Sequence, residues 1–77
     1  MKKQIKGIGY DGKLWLLIDD VTQISVKVGD VRESFRGEKA VMQDGTAPHK
    51  PSSTGRVQTS AGGEFYPGVY GCKWIKL

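Results

Sequence analysis

Hydrophobic and polar positions alternate along most of this chain, and the alternation is broken every eight to twelve residues by a glycine or an acidic-glycine pair. Residues 4–10 and 13–19 flank Asp11-Gly12, a pair that favours a two-residue type I′ hairpin turn because both central residues need positive φ. In the second of these runs the period of two puts Leu14, Leu16 and Ile18 on one face and Trp15 and Leu17 on the other. The first set is expected to face the core and the second to face outward. A strand apolar on both faces is central in a sandwich or carries something on its outer side.

The pattern continues with Ile24-Ser25-Val26-Lys27-Val28 and a turn at Gly29-Asp30. A strand of residues 31–36 follows, in which Val31, Glu33 and Phe35 alternate with Arg32, Ser34 and Arg36. Residues 38–43 form the next run, ended by Asp44-Gly45. Residues 46–54 hold Pro48, Pro51 and adjacent serines, which predicts an extended loop. Short strands are expected at 55–59 (Val57 inward), at 64–66 and at 72–77, with a break at Pro67-Gly68. No window sustains apolar residues at i, i+3, i+4 spacing, so no helix of ten residues is expected. The prediction is an all-β domain spanning 1–77, built of five to seven short strands.

Composition narrows the picture. The chain has 77 residues, 11 glycines, one cysteine and one histidine. A single cysteine excludes an internal disulfide, and Cys72 in a strand reads as a buried structural thiol. One Cys and one His are too few for a Cys/His zinc site, and no metal or cofactor is expected. Asp19, Asp20 and Asp30 lack the spacing of a calcium loop and read as turn and strand-end residues. The longest apolar run, Leu14 to Ile18, is five residues, and the lysines after Met1 lead into no apolar segment. Neither a membrane contact nor a signal peptide is therefore expected, and the cytoplasm is the expected compartment.

The net charge of +4 is unevenly spread. Residues 1–18 carry +3, residues 19–45 carry −2 and residues 46–77 carry +3. Two basic ends around an acidic middle suit a one-sided polyanion contact.

Two segments resemble SH3-like barrels. One is Val28-Gly29-Asp30-Val31 with its following strand and Gly37. The other is Phe65-Tyr66-Pro67-Gly68-Val69-Tyr70 followed by Cys72-Lys73-Trp74-Ile75. The resemblance implies a small barrel with a 3₁₀ turn before the last strand. Pro67 and Tyr70 match the Pro and Tyr of the SH3 peptide groove. The Phe35-Arg36-Gly37-Glu38, Pro48-His49-Lys50-Pro51-Ser52-Ser53-Thr54-Gly55-Arg56-Val57 and Glu64-Phe65-Tyr66-Pro67 strings resemble a group of small uncharacterised proteins of bacteriophages and mobile elements. That likeness implies a viral or prophage origin and no activity.

The chemistry-bearing residues concentrate in the loop with Lys50, Ser52, Ser53 and Arg56. Its hydroxyls and cations suit an anion, and its prolines and serines equally suit a rigid loop that bonds its own backbone. His49 with Ser52 or Ser53 lacks a third orienting group, so no catalytic residue is expected. The expected function is a non-enzymatic binding module. Lys50, Arg56, Arg32 and Arg36 would neutralise nucleic-acid phosphates, and Trp15 or Tyr66 would stack bases. The alternative is a protein-interaction module, docking on a host or phage protein or forming a homodimer, with Trp15, Leu17, Tyr66 and Tyr70 as the partner patch.

Overall fold

The computed structural model describes residues 2–77. Among these residues seven strands form two antiparallel sheets. Strands β1 (Lys6–Ile8), β2 (Leu14–Asp19) and β7 (Cys72–Lys76) make a three-stranded sheet in the order β1-β2-β7. Strands β3 (Val31–Glu33), β4 (Lys39–Thr46), β5 (Arg56–Thr59) and β6 (Glu64–Phe65) make a four-stranded sheet in sequence order. A 3₁₀ turn, Pro67–Tyr70, separates β6 from β7, where Pro67 presets the first φ. No ladder joins β6 to β7, so the two sheets do not close on one another.

The core lies between the sheets and comprises Ile5, Leu17, Val26, Ala40, Met42, Ala47, Val57, Tyr70, Cys72 and Trp74, with Trp15, Phe65 and Val69 against it. The face expected to be inward in β2 is reversed. Leu17 is fully buried, Trp15 packs on the core, and Leu14 is exposed. The period of two separates two faces but cannot say which one meets the rest of the chain. The choice falls to Leu17, whose N–H donates to Ile5 O and whose carbonyl accepts from Val26 N–H, both at 3.0 Å. Ile18, on the face expected to be inward, is buried as well, beside the bridge to Ser25 and outside the main cluster, so the reversal holds for residues 14–17.

Three turns differ from expectation. The β1–β2 connection is residues 9–13, not a two-residue turn. Gly12 has φ 73° but Asp11 does not have positive φ. Asp11 Oδ1 instead accepts from Lys13 N–H and Trp15 Nε1, each at 3.0 Å. Residues 24–28 form no strand beyond isolated bridges at Ser25 and Lys27. Strand β4 runs through Asp44-Gly45 to Thr46, with a bulge between Met42 and Asp44. Gly45 thus serves packing: a Cβ there would lie 2.7 Å from the Trp74 ring.

Candidate binding furrow

Trp74 organises the site. Its indole lies over two glycines, Gly45 and Gly55, and its Nε1 donates to Arg56 O at 3.3 Å. At Gly55 a Cβ would lie 2.5 Å from Trp74 Cδ1, and φ is 81°. A glycine is therefore required there on two grounds, contact and backbone sign. The ring thereby pins the start of β5 and the end of the 47–55 loop against β7. The loop is rigid by its own bonds. Ser53 N–H donates to Lys50 O at 2.9 Å, and Gly55 N–H to Ser53 Oγ at 3.1 Å. Its base is tied to the first hairpin by Tyr10 N–H donating to Pro48 O at 2.8 Å.

A furrow runs between this loop and the Tyr66-Pro67 corner. One part, about 610 Å³, has Trp15, Trp74, Pro48, Tyr66 and Pro67 among its walls. The adjoining part, about 420 Å³, is lined by His49, Lys50, Ser52, Ser53, Thr54, Arg56 and Tyr66. The two share Ser53, Thr54 and Tyr66. Tyr66 is 60% exposed, and the Arg56 guanidinium sits 4.3 Å from its ring centroid. Tyr10, also exposed, tilts against Trp15 at 5.9 Å between centroids. Trp15, Trp74 and Tyr66 therefore share one concavity with Lys50, Arg56 and Lys73.

The electrostatics are one-sided. No carboxylate lines the smaller part, and the larger has only Asp20, already 3.6 Å from Lys73 Nζ. Among the described residues Lys50 and Arg56 have no carboxylate partner, whereas Lys2, Arg32, Lys73 and Lys76 each hold an aspartate.

The fold brings Lys50, Ser52, Ser53, Arg56, Tyr66 and Trp15 together, as loop, strand and turn residues far apart in the chain. Four expected site residues go elsewhere. Arg32 is committed to structure: it donates to Asp19 Oδ2 at 2.7 Å and to Tyr70 O and Gly71 O. Arg36 lies in the β3–β4 turn, 5.4 Å over Phe35, beside a separate cavity of about 330 Å³ walled by Phe35, Phe65 and Val69. Leu17 and Tyr70 are buried in the core and cannot belong to an exposed partner patch. Tyr70 faces inward because its ring meets Phe65 edge-on at 5.5 Å and its hydroxyl meets Thr59 Oγ1 at 3.4 Å.

Sequence reasoning missed Trp74 as the floor, and Tyr10 and Pro48 as furrow or flanking residues, while Pro67, matched there to the SH3 peptide groove, does line the furrow. Trp74 sits between Lys73 and Lys76, a hint of surface that its burial overrides. Cys72 is buried as expected, and burial pushes its thiol up to about 11, far from a reactive thiolate. Among the described residues no three His, Cys, Asp or Glu side chains gather as metal ligands. Among the described residues no helix is long and apolar enough to cross a membrane. Comparisons with family models, with curated proteins and with solved structures returned no match.

Proposed function

We propose that this chain is a non-enzymatic binding module, an SH3-like barrel of phage or mobile-element origin, that presents its basic furrow to nucleic acid. The observation that carries the reading is the furrow's charge. Lys50 and Arg56 flank an exposed tyrosine in a concavity whose single carboxylate is already paired. A polyanion gains there without displacing a protein carboxylate. The 3₁₀ turn ahead of the last strand supports the barrel reading. The specific string from Pro48 to Val57 supports the origin.

Fluorescence polarisation with short single- and double-stranded DNA and RNA at two salt concentrations tests it. Binding is expected at low salt, weakening as salt rises. Lys50→Ala and Arg56→Ala should each reduce the affinity and flatten the salt dependence by about one phosphate contact. Absence of binding at low salt overturns the reading.

A second reading, contact with another protein, is favoured by a different surface. The outer face of the three-stranded sheet carries Ile8 opposite Leu14, and Leu16 opposite Ile75, with Leu77 alongside Leu14. Ile8, Leu14 and Leu77 are exposed. A sheet apolar on both faces wants a second layer, and a second copy of the chain supplies a matching face by two-fold packing.

A further inference from the structure

Resting on the nucleic-acid reading, we infer that the furrow takes a single strand, with one base stacked at Tyr66 and a neighbouring base in the Trp15–Trp74 part. Three observations point this way. First, the cations and aromatics line a concavity between a loop and a 3₁₀ turn, not a convex basic ridge. A duplex keeps its bases stacked inside and offers only its backbone to such a shape, whereas unpaired bases can enter it.

Second, Tyr66 is largely solvent-exposed although its ring is already held by Arg56 at 4.3 Å. An orienting guanidinium against a tyrosine makes a flat stacking platform that loses little freedom when a base arrives. Third, few charges are available. Lys50 and Arg56 are the lysine and arginine of the smaller part, and the larger part's lysine, Lys73, is paired with Asp20. Two phosphates are thus the natural complement, and stacking must carry the rest of the affinity. The hydroxyls of Ser52, Ser53 and Thr54 lie along the same wall and can donate to phosphate oxygens.

The test uses fluorescein-labelled eight-residue oligothymidine and oligouridine, with a blunt DNA hairpin of equal charge as the duplex arm. Single-strand affinity should exceed hairpin affinity, with a slope of log affinity against log salt of about −1.4, two phosphates at roughly −0.7 each. Tyr66→Ala should weaken single-strand binding about 5- to 150-fold. Tyr66→Phe, which keeps the ring, should stay within about two-fold. Unchanged melting temperatures separate lost stacking from lost folding. Tryptophan fluorescence should be quenched as the strand enters, because Trp15 and Trp74 line the furrow. Equal binding of hairpin and single strand with Tyr66→Ala silent overturns the single-strand inference while leaving the nucleic-acid reading intact. No binding of any oligonucleotide at low salt overturns both.

Discussion

A glycine can be needed because the backbone turns left-handed or because a neighbour leaves no room, and two positions here separate the causes. Gly62 has φ 87° and open space around its would-be Cβ. Gly55 has φ 81° and the Trp74 ring 2.5 Å away. Gly62→Ala should therefore cost only the backbone term, about 1–2 kcal/mol. Gly55→Ala should add the cost of overpacking, about 1–3 kcal/mol more, as Trp74 is displaced. Urea unfolding of both variants measures the difference. Equal losses would show that both the Trp74 ring and the Thr46 carbonyl, 2.7 Å from the added Cβ, yield freely and that the ring does not hold the furrow wall. The sequence sets Gly62 in a turn and Gly55 at the start of a strand and shows the crowding of neither, because the atoms that crowd Gly55, the Trp74 ring and the Thr46 carbonyl oxygen, come from nineteen positions further on and nine positions earlier.

At the scale of elements, Asp19 and Arg32 join three of them. Asp19 Oδ1 accepts from Val21 and Thr22 N–H at 2.8 Å, closing the turn after β2, while Oδ2 takes Arg32 from β3. Arg32 also reaches the carbonyls at the end of the 3₁₀ turn. The backbone N–H of Thr22, then Arg32 and Val21, hold the Asp19 carboxyl well below the ordinary carboxylate range. Asp11 is lowered chiefly by Trp15 Nε1–H and Asp30 chiefly by Lys27 N–H. Each favours the charged form in the folded state. The folded chain therefore binds fewer protons than the unfolded one once pH falls to the ordinary aspartate value, and stability declines as pH drops from there. The stability these groups contribute is fully present above about pH 5 and shrinks below about pH 4. Urea midpoints at pH 7, 5 and 3 should show little change over the first interval and a marked drop over the second. Asp19→Asn should reduce that drop. Arg32→Met should lower stability by about 2 kcal/mol through its lost charged hydrogen bonds and leave the salt slope of oligonucleotide binding unchanged, since Arg32 is not in the furrow.

For the whole molecule, the notable asymmetry is that one sheet is apolar on both sides. The inner face builds the core, and the outer face leaves Ile8, Leu14 and Leu77 in water. If a second copy covers them, light scattering should show a mass that rises with protein concentration, and Leu14→Lys should hold the chain monomeric. Lys6 pairs with Leu16 on the same face, so salt should strengthen this association by screening the repulsion between copies. That is opposite to its effect on oligonucleotide binding, so a salt series separates the two contacts. A constant monomer mass at millimolar concentration would remove self-association from consideration.

The all-β class, the short strands near 14–19, 56–59, 64–65 and 72–76, and the break at Pro67-Gly68 were legible in the sequence because they rest on local rules, whereas the 3₁₀ turn there was implied only by the resemblance to SH3-like barrels. Those rules are alternation, glycine and proline punctuation, and the missing helical period. The cluster of Lys50, Ser52, Ser53 and Arg56 was legible for the same reason, being contiguous. Tertiary structure alone decided which face of β2 is buried, since alternation is symmetric and the choice depends on Ile5 and Val26 bracketing Leu17. It alone removed Arg32 and Arg36 from the basic site, Arg32 by setting Asp19 and two carbonyls beside it and Arg36 by placing it in the β3–β4 turn at a separate cavity. Likewise it was the fold that brought Tyr66, Trp15 and Trp74 to one furrow, a juxtaposition across separate strands that no local pattern encodes.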